Sequence, residues 1–238
     1  MKLSKTDLQR WVDAVSTLPS APLEFMPWVE GPVRAFFPFG AVYMAHGGLV
    51  AGQIQISHWL SSGHEPRYLE QLATSFELEL RGSLAWWLAN REPFCIDPDC
   101  PPPFASRLEL DEIRDFGLRN VAAHGILNLR ANAGTYFSFA AMPGPLSDWH
   151  LDALRVLAPA MNDRLLVYLA AQPRPSGDSF GSLTRRQRDI VRQVATGLDD
   201  KTVARRLGVS EKTVRNQLSE VYAQLGIHRR AQLLALLR

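Results

Sequence analysis

Three short amphipathic segments separated by single glycines, all within residues 183–238, restrict the fold of this chain more than any other feature. The first begins at Thr184, with Gln187 three positions on; at that spacing each side chain can satisfy a free backbone donor of the other residue. Ile190, Val191 and Val194 form its apolar stripe and Gly197 ends it. Asp199 or Asp200 can cap a second helix over 201–207, with Val203, Ala204 and Leu207 facing inward. Gly208 then permits a sharp turn, because glycine takes positive φ without steric cost. Ser210 caps a third helix over 211–225, in which Val214, Leu218, Val221, Tyr222 and Leu225 recur at helical spacing, and Gly226 closes it. A last segment, 229–238, carries Leu233, Leu234, Leu236 and Leu237 and is too short to be stable alone, so its leucines need the module or a partner.

The third segment leaves Lys212, Arg215, Asn216 and Ser219 on its outer side. Two short helices joined by a glycine turn, the second polar and basic, are the design of a helix-turn-helix. The major groove of duplex DNA admits a helix, and its base edges distinguish all four pairs. There Arg215 can form paired hydrogen bonds to guanine and Asn216 to adenine. Arg185, Arg186, Lys201, Arg205 and Arg206 can neutralise phosphates, which fixes register without reading sequence.

Charge divides along the chain in the same way. Residues 179–238 hold 12 Lys+Arg against 5 Asp+Glu, whereas residues 1–178 hold 14 against 19. A basic module on an acidic body suits a polyanionic partner. The stretch 172–182, QPRPSGDSFGS, is polar, rich in Pro, Gly and Ser and without apolar periodicity, so it reads as a linker between a first domain at 1–171 and the module at 183–238.

As a joint pattern, L-T-x-R, A-x-G, A-x-x-L-G-V-S-x-x-T-V-R-x-x-L and V-Y-x-Q-L-G-I-x-x-R-A-Q over residues 183–234 resemble the LuxR-type four-helix module, which is shared with regulators of the NarL kind. The resemblance implies a transcriptional regulator in which Arg215, Asn216 and Ser219 enter the major groove and Thr213 and Lys201 touch the backbone. It also implies that the last helix contributes to a two-fold homodimer on a near-palindromic double-stranded DNA site, and it leaves room for contact with RNA polymerase. The sequence departs from the pattern at Gln187, where Glu is usual, at Asp199-Asp200-Lys201-Thr202, and at Gln217, where His is usual. These departures bear on the DNA site rather than on the fold.

For residues 1–171 the patterns predict helices over 6–17 and 24–36 and a hairpin of strands 41–45 and 53–59 turning at 46–48. They continue with one long helix over 66–90, a helix over 107–116 closed by Gly117, strands 121–129 and 135–141 with a turn near 132–134, and a helix over 148–170 capped by Asp148. The Pro-dense run 97–103 reads as a surface loop. This order makes an α+β sandwich, an antiparallel sheet with flanking helices in the manner of GAF and PAS domains, joined to an all-α helix-turn-helix domain. Trp28, Gly31, Pro38, the His124-Gly125-Ile126 run, Arg130 and Tyr136 resemble landmarks of EpsA-like regulators of exopolysaccharide loci, which implies a regulator without a well-defined small ligand; the body is expected to serve dimerisation or signal sensing. The alternative is a receptor for acyl-homoserine lactones with a diverged pocket, matched loosely by His58, Trp59 and Tyr68.

Other functions lack their residues. Residues 1–50 have no paired acids at a strand end, as a phosphoacceptor receiver needs. No Gly-rich phosphate loop, metal-ligand cluster or G-x-S-x-G elbow is present, so neither enzyme activity, cofactor nor metal is expected. Cys95 and Cys100 read as free thiols rather than half a zinc site. Trp87 reads as core, Trp86 as surface or dimer seam, and His124 as a hydrogen-bonded structural residue. The opening MKLSKTDLQRW lacks an apolar core segment and no apolar run nears the length of a membrane span, so a cytoplasmic location is expected.

Overall fold

The computed structural model describes residues 2–17, 24–50, 53–74, 78–172, 183–225, 227 and 230–236. The chain divides into two compact units, Met1–Ala171 and Gln172–Arg238. Beyond Gln172, the stretch read as a linker lies outside the described residues, as does Gly226.

The first unit is built on a five-stranded antiparallel sheet in the order β2-β1-β5-β4-β3. Its strands are β1 (Ala41–Val50), β2 (Gln53–Ser62), β3 (Phe94–Ile96), β4 (Val121–Asn128) and β5 (Ala133–Ala140). Register places Met44 and His124 opposite Phe137, so alternation along each strand sorts side chains onto two faces. Val42, Met44, Phe137 and Phe139 pack on α7 (Asp148–Ala171), whose Leu154, Leu157, Met161 and Leu165 form its buried stripe. The same core takes in α1 (Lys5–Ser16) and the helical run α2 (Phe25–Trp28), Val29–Val33 and α3 (Arg34–Phe36). Pro32 lacks the N–H that a regular helix turn requires, and the backbone around it widens into a π turn. Trp28 donates from Nε1 to the Ala14 carbonyl at 2.9 Å, which fastens this run to α1.

The opposite face carries Tyr43, Ala45 and Ala123 and is covered by α4 (Pro66–Thr74), α5 (Gly82–Asn90) and α6 (Arg107–Asp115) through Leu72, Leu84, Trp87 and Ile113. The sheet is thus layered between helices, the α+β sandwich expected. Between these helices lies a buried polar cluster. Arg81 donates to Glu112 at 2.8 Å, and Gln71 Nε2 donates to the same Glu112 oxygen at 3.0 Å.

Several local expectations need correction. The turn expected at 46–48 is strand: β1 runs through it with a bulge between His46 and Gly47. Gly48 serves close approach, since a Cβ there would lie 2.3 Å from the Asn132 carbonyl oxygen. Ala133 and Gly134 likewise belong to β5, and the reversal before them ends at Asn132, φ 47°. The helix expected over 66–90 is two helices with a 3-10 turn at Leu78–Leu80 between them. A side chain at Gly82 would meet the Phe104 carbonyl oxygen at 2.2 Å, so the second helix starts where the chain is pressed against that loop. Asp148 is the first helical residue of α7 rather than the residue before it. Trp86 is half-buried and stacks on Phe104 at 4.5 Å between ring centroids. The short strand β3 was not expected, because three residues carry no readable periodicity.

The second unit is all-α, with α8 (Arg185–Ala195), α9 (Asp200–Leu207), α10 (Glu211–Gln224) and α11 (Arg230–Leu236) around Leu183, Ile190, Val194, Val203, Val214 and Leu218. No helix among the described residues is long and apolar enough to cross a membrane.

Candidate nucleic-acid interface

The second unit presents α10 through a chain of local capping interactions. Thr184 Oγ1 accepts from the Gln187 amide at 3.2 Å while Gln187 Oε1 accepts from the Thr184 amide at 2.9 Å, a complete capping box for α8. Asp199 accepts from the Thr202 amide at 2.7 Å and caps α9; hydrogen bonds from Thr202 hold its carboxyl below the usual range. Gly208 leaves α9 at φ 65°, in the left-handed region. Two residues later Ser210 Oγ accepts from the Thr213 amide at 3.0 Å and starts α10.

With Val214, Leu218 and Val221 buried, the rest of α10 is fixed in orientation. Lys212, Thr213, Arg215, Asn216 and Ser219 are all solvent-exposed on it, and Lys201 is exposed near the start of α9. Thr213 shares its hydroxyl with Ser210 at 2.8 Å, next to the helix cap. Among the arginines expected to meet phosphate, Arg185 and Arg205 are exposed. Arg206 is exposed but donates to Gln193 at 3.1 Å, and Arg186 is half-buried and donates to the Leu207 carbonyl at 2.9 Å, so both also brace helices within the unit.

Contacts made at three acidic residues, Glu211, Glu220 and Asp200, were not anticipated from the sequence. Arg215 Nη2 lies 3.3 Å from Glu211 Oε2, an i,i+4 pair whose spacing is readable in the sequence. Both side chains are largely exposed, so the pair is weak and its guanidinium is readily exchanged to another acceptor. Gln187 and Gln217 both donate to Glu220 Oε2, at 3.1 and 2.9 Å. Two of the departures noted in the sequence therefore converge on one carboxylate. Arg230, at the start of α11, donates to Asp200 at 2.7 Å and also to the Leu198 carbonyl.

In the first unit His124 accepts from Trp87 Nε1 at 3.3 Å, and burial pushes its pKa down to about 4. Cys95 and Cys100 are free thiols; burial pushes Cys95 up to about 12, while Cys100 is exposed. The described residues contain no group of three or more His, Cys, Asp or Glu placed to hold a metal.

Residues 181–237 match the family of bacterial regulatory proteins described as the luxR family. The chain is 36% identical over 107 residues to a putative HTH-type transcriptional regulator, Rv0890c, of Mycobacterium tuberculosis, covering 43% of this chain and 12% of that protein. It is 33% identical over 76 residues to an uncharacterized transcriptional regulatory protein, YhcZ, of Bacillus subtilis, covering 32% of this chain and 36% of that one. It therefore spans only a minor part of these relatives' length. Among solved structures, Escherichia coli SdiA is similar in fold at 14% identity, with a TM-score of 0.54 over 98% of this chain and 96% of that one. The N-acylhomoserine-lactone-dependent LuxR-family factor CepR2 of Burkholderia cenocepacia is similar at 15% identity, with a TM-score of 0.51 over 68% of this chain and 95% of that one. The glycine turn at Gly208, the capped and outward-facing α10, and the matched residues agree: the second unit of this chain is a helix-turn-helix domain of the luxR family of bacterial regulatory proteins.

Proposed function

We infer that the chain is a transcriptional regulator that binds double-stranded DNA as a homodimer, with α10 in the major groove of a near-palindromic site. The observation that carries this reading is the two-sided α10, with Val214, Leu218 and Val221 buried and Lys212, Arg215 and Asn216 exposed opposite them. Arg215 and Asn216 have the donors and acceptors for guanine and adenine edges, and Ser219 can contact either. Thr213 and Lys201 suit the phosphate backbone. The regulator names of the matched relatives support the reading, as does their shared domain.

The first unit would then serve dimerisation, signal sensing or both. A second reading makes it a receptor for acyl-homoserine lactones, supported by its likeness in fold to CepR2, which is named for dependence on such a lactone. Native mass spectrometry of protein taken from its own host separates the two, because a retained lactone would favour the second.

The test of the main reading is selection of bound sequences from a random pool with the full chain and with Arg215→Ala. A two-fold motif with half-sites about one helical turn apart is expected, with the variant about 1–3 kcal/mol weaker and indifferent at one base position per half-site. An unchanged preference removes Arg215 as a base reader, and a saturated 1:1 complex removes the dimer.

A further inference from the structure

The pairing of β1 with β2 places His46 opposite His58; the next pair is Gly47 with Ile56, which leaves Ser57 as the extra residue of a bulge in β2. β2 is an edge strand of the sheet. Opposed residues point to the same face, so the two imidazoles stand side by side, with ring centroids 6.2 Å apart. In a regular strand Ser57 would point to the other face. The bulge instead brings its hydroxyl to both rings. Ser57 Oγ lies 3.0 Å from His46 Nδ1 and 3.2 Å from His58 Nδ1, and it donates to the His46 carbonyl at 3.0 Å.

A tetrahedral cation with ligands at about 2.0–2.1 Å holds its ligand atoms about 3.3–3.4 Å from one another. The separations of the hydroxyl from the two Nδ1 atoms are already near that length. Two rings ligated in this way have centroids about 5 Å apart, so the pair has to close by about 1 Å. His58 is exposed and His46 half-buried, which gives the outer ring room to turn and a cation a path from solvent. Burial lowers the pKa of both rings, and for His58 the nearness of His46 adds to this. Both are therefore neutral at neutral pH, as a metal ligand must be. Imidazole suits zinc, nickel and copper, whereas magnesium and calcium take oxygen. This is a pair of histidines and a hydroxyl, short of three His, Cys, Asp or Glu, and strand register rather than sequence spacing assembles it.

We propose that His46 Nδ1, His58 Nδ1 and Ser57 Oγ bind one divalent transition cation of the zinc kind, with water in the remaining position. Each ring then carries its single proton on Nε2, and the Ser57 proton stays on the His46 carbonyl. The cation pins the edge strand β2 to β1 across the bulge. This site depends on neither the DNA reading nor any organic ligand of the first unit.

Titration calorimetry of the full chain with zinc chloride, with magnesium chloride as comparison, measures the binding, and nitrogen NMR of the histidine rings locates it. Zinc is expected to bind, to shift the Nδ1 resonances of His46 and His58 together, and to raise the unfolding temperature read by tryptophan fluorescence; magnesium should do none of these. His46→Gln and His58→Gln should each weaken zinc at least about tenfold, and Ser57→Ala less. The two histidine substitutions combined should add little to either alone, because the ligands share one cation. Should a variant fold poorly, the ring resonances of the unaltered chain carry the same test. Absence of zinc binding overturns the proposal, as does zinc that shifts only one of the two rings, that shifts other histidines instead, or that binds both single variants as tightly as the unaltered chain.

Discussion

Gln187 Nε2 donates to Glu220 Oε2 across 3.1 Å, tying the cap of α8 to the outer turn of the helix assigned to DNA. Gln187 is almost fully buried, so its amide is the partner that Glu220 needs on that side. Replacing it with a carboxylate, Gln187→Glu, would set two acids against each other with no donor between them. A loss of about 1–3 kcal/mol at neutral pH is expected, relieved by acidification and by Glu220→Gln in the same chain. Urea unfolding followed by far-ultraviolet circular dichroism measures it. All six tryptophans lie in the first unit, so their fluorescence should not move. A stable Gln187→Glu with no dependence on residue 220 would refute the link.

Arg81 and Glu112 are both nearly excluded from solvent. Arg81→Met would strand the carboxylate, at an expected cost of about 3–5 kcal/mol, whereas Arg81→Met with Glu112→Leu removes both charges and should recover most of it. Tryptophan fluorescence during denaturation reports this directly. A double variant no more stable than the single one would show that the pair does not act as a unit.

Gly208 sits at φ 65° and nothing lies within 4 Å of a Cβ placed on it. Gly208→Ala should therefore cost only the backbone strain, about 1–2 kcal/mol, and Gly208→Asn less. A much larger loss by circular dichroism would mean that the turn is crowded after all.

Burial holds His64 and His124 at about 4 when folded, against 6.5 for the free side chain. Below 6.5 the unfolded chain takes up protons that the folded chain refuses until about 4. The contribution of these two histidines to the stability of the first unit is therefore complete above 6.5, falls as pH drops toward 4, and levels below it. His124→Gln keeps an acceptor for Trp87 without a titrating ring and should flatten part of that slope in urea midpoints taken across this range. An unchanged slope would assign the loss to other groups.

The second unit was largely legible in the sequence because its signals are local. Caps three residues apart, glycines at positive φ and stripes at helical spacing each act within one turn, and Thr184, Gly208 and Ser210 behave as their spacing indicates. The first unit was legible in order but not in its breaks. In sequence Gly48 looks like a turn residue and Gly82 like an interior position of one long helix, yet each is a glycine because distant backbone presses on it, from Asn132 and Phe104. Long-range contact leaves no periodic trace, and the same holds for Glu220, whose two glutamine partners lie on two helices.

The contact between Glu211 and Arg215 changes what affinity for DNA measures. A guanidinium that already rests against its own helix does not arrive at the duplex uncompensated; it trades one anion for another. If Arg215 reads base edges as proposed, the exchange lowers the net attraction to any phosphate by a small amount, while a guanine would offset it through directional hydrogen bonds. Glu211 would then tilt the domain slightly toward discrimination over adhesion without itself touching a base.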